Sequence, residues 1–219
     1  LGYIRLGQSS TTLSGGEALE ALDYAAELGG SFIILVNDND MSIAENHGGL
    51  YQNLRLLRET GGKAECNLFR AMGLDYRFVA DGNDLPSVIE ALQAVRDIDH
   101  PVVVHLVTEK GKGFAPAEAH KEEWHYCAPF DRETFQPLMS TEGESWESLT
   151  ADFMMKKMQA DSSVCMITSG TPTVLGFTED KRRLAGRQFI DVGIAEENAV
   201  ALASGIAAAG GRPVYGVYS

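Results

Sequence analysis

The sequence predicts an α/β fold built on mostly parallel sheets, with two domains represented and both incomplete. Three observations predict it. Short β-branched runs recur between longer segments of helical periodicity. The runs are continuously apolar rather than alternating, which suits strands covered on both faces. Each run is bounded by turn residues, and strand followed by helix followed by strand is the order of a parallel sheet.

The elements follow in order. Residues 16–28 place Ala18, Leu19, Leu22, Ala25, Ala26 and Leu28 on one side of a helix. Residues 32–36 form a strand between Gly29-Gly30 and Asn37-Asp38. Leu85, Val88, Ile89, Leu92 and Val95 are spaced for a helix, with Asp84 as its N-cap and Pro86 in its first turn. Residues 101–107 form the next strand.

The stretch 109–144 then breaks the rhythm with Gly111, Gly113, Pro116, Pro129, Pro137 and Gly143. It reads as a crossing between two units whose boundary lies near Thr141, giving domains over 1–140 and 141–219. Beyond it come a helix at 145–158, strands at 164–168 and 188–192, an Ala-rich helix at 196–209 stopped by Gly210-Gly211, and a strand at 213–218.

Charge narrows the partners. Eighteen Lys and Arg stand against 31 Asp and Glu, a net charge of −13. Nonspecific nucleic-acid binding and anionic membrane surfaces are disfavoured at that charge, whereas a phosphorylated ligand held by a local loop is not. Cys66, Cys127 and Cys165 are widely spaced and read as reduced thiols in a cytoplasmic protein. No run is long enough to span a membrane, the N-terminus is not a signal peptide, and no His pair has zinc-ligand spacing. The first residue is Leu1, so the chain is expected to be less than a whole gene product.

Three segments carry candidate chemistry. Asn37 to Ile43, directly after a strand, clusters amide and carboxylate oxygens where open sheets bind ligands, a donor set suited to Mg²⁺. The same residues would also make an Asx-rich turn with no ligand. Glu196 and Glu197 open the Ala-rich helix, where the helix dipole favours a carboxylate. The apolar neighbours of Glu196 predict a dry setting that raises its pKa and lets it exchange protons. Gly111-Lys112-Gly113-Phe114, Gly7-Gln8-Ser9 and His125, between Trp124 and Tyr126, are weaker signals, each also readable as loop or packing.

Taken together, these segments resemble one family. The order is Leu-Ser-Gly-Gly-Glu-Ala-Leu at 13–19, Asn-Asp-Asn-Asp-Met-Ser-Ile at 37–43 and Asp-Gly-Asn-Asp at 81–84. Lys-Gly-Lys-Gly-Phe at 110–114, Trp-His-Tyr-Cys-Ala-Pro-Phe-Asp at 124–131 and Asp-Val-Gly-Ile-Ala-Glu-Glu-Asn-Ala at 191–199 complete it. The set is similar to the 1-deoxy-D-xylulose-5-phosphate synthases, transketolase-like enzymes that use thiamine diphosphate.

The resemblance implies a three-layer thiamine-diphosphate-binding fold. The domain holding the diphosphate and Mg²⁺ would come first, followed by the start of the domain holding the aminopyrimidine. It implies a homodimer, and a transferase joining pyruvate, with loss of CO₂, to glyceraldehyde 3-phosphate for isoprenoid and thiamine biosynthesis. Asn39 matches a side-chain Mg²⁺ ligand, and Met41 a backbone one. Glu196 matches the glutamate that hydrogen-bonds the aminopyrimidine and promotes proton removal from the thiazolium. His125 matches a histidine near the substrates, and Tyr218 a tyrosine near the acceptor's phosphate.

The sequence also departs from the pattern. Phe114 stands where a tyrosine near the cofactor is usual. Gly7, Gln8 and Ser9 resemble a cofactor-binding Gly-His-Ser with Gln8 in place of His, and Asn198 replaces another His. Thr11-Thr12 precede Leu13 where the family has Gly-Asp-Gly, whose Asp binds the metal. Residues are therefore expected to be missing between Thr12 and Leu13, and a third domain beyond Ser219. The form as written is not expected to be active. Two other readings share the residues: a transketolase moving ketol units between sugar phosphates, and a non-catalytic paralogue.

Overall fold

A computed structural model describes residues 2–4, 13–138 and 143–217. The chain forms two compact units, Leu1–Glu118 and Ala119–Ser219. The division falls before the boundary expected near Thr141, so the crossing segment from Ala119 onward groups with the second unit. One cause is visible: Arg182 donates from both terminal nitrogens to the Glu122 carboxylate, at 2.9 and 3.2 Å.

The first unit carries a parallel sheet of β1 (Gly2–Ile4), β2 (Phe32–Asp38), β3 (Asp75–Val79) and β4 (Pro101–Val107), in the order β1-β2-β4-β3. In the central pair Phe32 lies opposite Pro101 and Asp38 opposite Val107. Successive side chains leave opposite faces, and both faces are covered. Ile34, Val36 and Val103 pack with α1 (Gly16–Ala25), α2 (Gly49–Glu59) and α3 (Leu68–Ala71). Ile33, Val102, Val104 and Leu106 pack with α4 (Leu85–Val95). Asp84 caps α4 as the sequence predicts, accepting from the Ser87 amide at 2.9 Å.

The second unit repeats the plan around β5 (Val164–Thr168), flanked by β6 (Phe189–Asp191) and β7 (Arg212–Gly216), all parallel. A short helix, α5 (Ala115–Ala119), lies at the junction between the units. α6 (Trp146–Ala160) buries Ala151, Met154, Met155 and Met158 on one face of this sheet, with Phe177. α8 (Glu196–Ala208) covers the other face through Ala199, Leu202, Ala203 and Ile206. The connection to β6 carries α7 (Glu179–Ala185). Reciprocal bonds between Ser145 and Ser148 start α6: each hydroxyl accepts the other residue's amide, at 3.1 and 3.0 Å.

Six elements escape the sequence reading, among them the four- and five-residue helices α3 and α5, which are too short to show a periodicity. β3 is an edge strand with Arg77 exposed, so its run is short and mixed rather than continuously apolar. α2 shows only Tyr51, Leu54 and Leu57 as a buried stripe. α7 buries no residue, and β1 has three residues.

Candidate functional site

β2, β3 and β4 run parallel, so the loops that follow them leave from one edge of the sheet. That edge is where ligands bind in open α/β sheets. The three loops are tied together there. The Gly82 amide donates to the Val107 carbonyl at 2.7 Å, and the Glu109 amide to Asn83 Oδ1 at 2.7 Å. The Thr108 amide donates to the Asp38 carbonyl at 2.9 Å. The Lys110 ammonium donates to the Ser42 carbonyl.

Two glycines permit this closeness. A Cβ at Gly82 would stand 2.8 Å from the Val107 oxygen, and one at Gly111 2.6 Å from the Ala117 carbonyl carbon. Gly111 also has a φ of +82°, in the left-handed region.

The turn after β2 has its own construction. The Met41 amide donates to Asn39 Oδ1 at 3.1 Å, and the Asp40 amide to Asp38 Oδ1 at 3.1 Å. Asp40 has a φ of 62°, unusual outside glycine. Asn39 and Met41 are half-buried and Asp40 is exposed. A carbonyl-type oxygen has two lone pairs, so Asn39 Oδ1 retains acceptor capacity beside its bond to Met41.

Beneath the turn lies a polar network that the sequence reading did not single out. Asp38 is fully buried and receives Arg58 Nη1 at 2.6 Å and His105 Nε2 at 3.0 Å on the same oxygen. His105 Nδ1 lies 2.7 Å from the Tyr76 hydroxyl. Burial works to raise the Asp38 carboxyl, but the bonds from His105 and Arg58 outweigh it and hold it below its usual range. One sequence signal pointed here: a histidine in the middle of an apolar strand needs partners when buried.

In the second unit the strand-end edge gathers around Asp191, whose Oδ1 accepts from Gly170 N–H at 2.7 Å and Gly193 N–H at 2.9 Å. Ser169 Oγ meets the Tyr215 hydroxyl at 2.9 Å. Glu196 is the first residue of α8 and its side chain is exposed. The dry setting expected from its sequence neighbours does not form around it: Gly193, Ile194 and Ala195 are themselves only partly buried. Asn198 is exposed as well.

The remaining candidates are dispersed. Phe114 is half-buried in the loop after β4, in the first unit with Asn39 and Met41. His125 ends a 3-10 turn, Glu123–His125, and is exposed in the second unit. Beside it, Trp124 sets its ring edge-on to Phe130 at 5.0 Å. Gly7, Gln8, Ser9 and Tyr218 lie outside the described residues.

The turn at 37–43 fits a hard cation shared with phosphates. Its donors are an amide oxygen and a backbone carbonyl two residues on, and Mg²⁺ keeps waters and phosphate oxygens for the rest of its octahedron. Among the described residues no group of three or more His, Cys, Asp and Glu could hold a metal ion. A cation here would therefore depend on those neutral oxygens and on a phosphorylated ligand. Among the same residues no helix is long and apolar enough to cross a membrane.

Comparison with known proteins adds kinship. The profile of a family described as 1-deoxy-D-xylulose-5-phosphate synthase matches residues 7–64 and 60–108. Proteins of that name are similar to this chain. One from Listeria monocytogenes serotype 4b is 34% identical over 215 residues, covering 94% of this chain and 35% of its own length. One from Geobacter sulfurreducens is 34% identical over 245 residues, covering 95% and 38%. One from Desulforudis audaxviator is 34% identical over 246 residues, covering 94% and 38%.

The chain thus spans little more than a third of these relatives. Two of the alignments are longer than its 219 residues, so those relatives carry residues inside the matched region that it lacks. Among solved structures, a Pichia stipitis transketolase in complex with sedoheptulose-7-phosphate is 15% identical, with a TM-score of 0.35. It covers 99% of this chain and 43% of its own. A Leishmania mexicana transketolase is 13% identical, with a TM-score of 0.34, covering 99% and 42%.

Proposed function

We propose that the chain belongs to the 1-deoxy-D-xylulose-5-phosphate synthase family, as its similarity to proteins of that name supports, and that the protein carrying it is a thiamine-diphosphate-dependent transferase. It condenses pyruvate, with loss of CO₂, and glyceraldehyde 3-phosphate to 1-deoxy-D-xylulose 5-phosphate, a precursor of isoprenoids and thiamine. We place it in the cytoplasm as a homodimer. The observation that carries the reading is the Asn39–Met41 turn at the strand-end edge, closed by its own side chains and tied to the loop after β4.

In this reading Asn39 Oδ1 and the Met41 carbonyl would hold Mg²⁺ against the diphosphate. Thiamine diphosphate, when bound, supplies the electron sink for decarboxylation of a 2-oxo acid. Glu196, at the start of α8, would hold a proton at the aminopyrimidine ring nitrogen. The carboxylate suits that task better where water is excluded, and its exposure in the chain leaves that exclusion to the cofactor and surrounding protein. His125 would donate to or accept from the substrates. Tyr218 would bind the acceptor's phosphate, and Gly7, Gln8 and Ser9 would contact the cofactor. Gln8 and Asn198 can hydrogen-bond but cannot carry a proton, and Phe114 offers packing without a hydroxyl.

The test is release of labelled CO₂ from pyruvate with glyceraldehyde 3-phosphate present. The expected result is Mg²⁺-dependent release that Glu196→Ala lowers by about 100-fold or more while leaving cofactor binding in place. Ketol transfer from xylulose 5-phosphate without use of pyruvate would support the transketolase reading instead. Absence of both reactions and of cofactor binding would support the paralogue.

A further inference from the structure

We propose that Arg58 is the positioning residue of the 37–43 turn. Its guanidinium grips the two carboxylates on either side of Asn39 and so fixes where Asn39 and Met41 present their oxygens. This rests on the reading of that turn as the cation site.

The geometry is specific. Arg58 stands in the last turn of α2, on a different element from the turn it holds. Nη1 donates to Asp38 Oδ2 at 2.6 Å, and Nη2 donates to Asp40 Oδ1. A planar fork reaches the two carboxylates from separate nitrogens with fixed donor directions, whereas a lysine ammonium is a compact point charge whose donors rotate freely.

The two arms differ in burial. Asp38 is 0% exposed, Arg58 15% and Asp40 50%. The inner arm therefore anchors to the sheet, where His105 Nε2 also donates to Asp38. The outer arm reaches the one residue of the turn with a left-handed backbone, Asp40. A non-glycine residue leaves that region readily unless something holds it. Here the holders are the Arg58 contact and the Asp40 amide's bond to Asp38, and both converge on the same buried carboxylate.

The pairing also has a chemical consequence. With both carboxylates occupied by one guanidinium, a cation at the turn meets the neutral oxygens of Asn39 and Met41 rather than two free anions. Neutral donors alone bind Mg²⁺ weakly, so tight binding would wait for the phosphates of a ligand. The clamp would thus couple cation binding to diphosphate binding.

The experiment compares the unmodified protein with Arg58→Met, Arg58→Lys and Asp40→Asn by two readouts. The first is amide hydrogen exchange without ligand. Arg58→Met is expected to speed exchange across 38–43 at least tenfold while 101–107 in β4 is unchanged. Arg58→Lys is expected to fall between, because it keeps the charge without the fixed donor directions. Asp40→Asn removes only the exposed arm's charge, so it serves if Arg58→Met fails to fold, and a several-fold faster exchange at 38–43 is expected.

The second readout is the Mg²⁺ concentration that half-saturates thiamine diphosphate binding, followed by calorimetry. It is expected to rise at least tenfold in Arg58→Met, with binding recovered at high Mg²⁺. A merely structural role would lower the melting temperature without that recovery. Unchanged exchange at 38–43 in both Arg58→Met and Asp40→Asn overturns the clamp. So does an unchanged Mg²⁺ requirement in Arg58→Met when the unmodified protein binds. No Mg²⁺-dependent binding by the unmodified protein instead overturns the cation reading, and with it the purpose given to the clamp.

Discussion

His105 Nε2 lies 3.0 Å from Asp38 Oδ2, and both side chains are wholly buried. The pair joins adjacent strands, β2 and β4, just before the loops that form the candidate site. An ionised carboxylate only accepts, so Nε2 carries the shared proton, and in that tautomer Nδ1 accepts from the Tyr76 hydroxyl. Removing one partner of a buried pair costs more than the pair is worth, because the remaining charge stays desolvated. His105→Ala is expected to destabilise the first unit by about 3 kcal/mol, and the check is urea denaturation at neutral pH.

The far end of the same network sets a pH dependence. Burial pushes the Tyr76 phenol above its ordinary value of 10.0, opposed by Arg70 and reinforced by the Asp38 charge. A raised pKa in the folded state favours the neutral form. Its contribution is therefore whole below pH 10.0 and is lost as pH rises through the raised value. Tyr76→Phe is expected to cost about 1–2 kcal/mol at neutral pH by leaving His105 without that partner. It should then lose less stability than the parent on going from neutral to strongly alkaline solution. Urea denaturation across that range, with tyrosine absorbance alongside, measures both.

Gly111 ties a backbone constraint to the site edge. Alanine there would force a side chain onto a φ of +82° and place its Cβ 2.6 Å from the Ala117 carbonyl carbon. Gly111→Ala is expected to cost about 2 kcal/mol and to displace the 111–117 loop, which carries Phe114. Thermal denaturation reads the first effect, and amide exchange in residues 108–118 reads the second.

Much of the fold was legible because burial on both sides leaves a plain mark. β4 and β5 are predominantly apolar and rich in β-branched residues, and their bounds match those read from the sequence. α4 announced itself through Asp84 and Pro86. β3 did not, because an edge strand tolerates Arg77 on its surface.

The site was legible in part. Asn39 and Met41 stood out as oxygen donors after a strand, and the structure puts them in one closed turn. What sequence could not give is long-range pairing. Arg58 reads as one more charge on a helix, and nothing local shows that it reaches back to Asp38 and Asp40. For Glu196, apolar neighbours along the chain do not by themselves bury the carboxylate, whose side chain is exposed in this chain.

Calorimetric titration of the protein carrying this chain with thiamine diphosphate, with and without Mg²⁺, decides whether the 37–43 turn is a cation site for that cofactor. Saturable binding that requires Mg²⁺ is expected, with that requirement raised about tenfold or more by Asn39→Ala, the loss of one metal donor. Binding that ignores Mg²⁺ and Asn39→Ala alike, or no binding at all, would contradict that assignment.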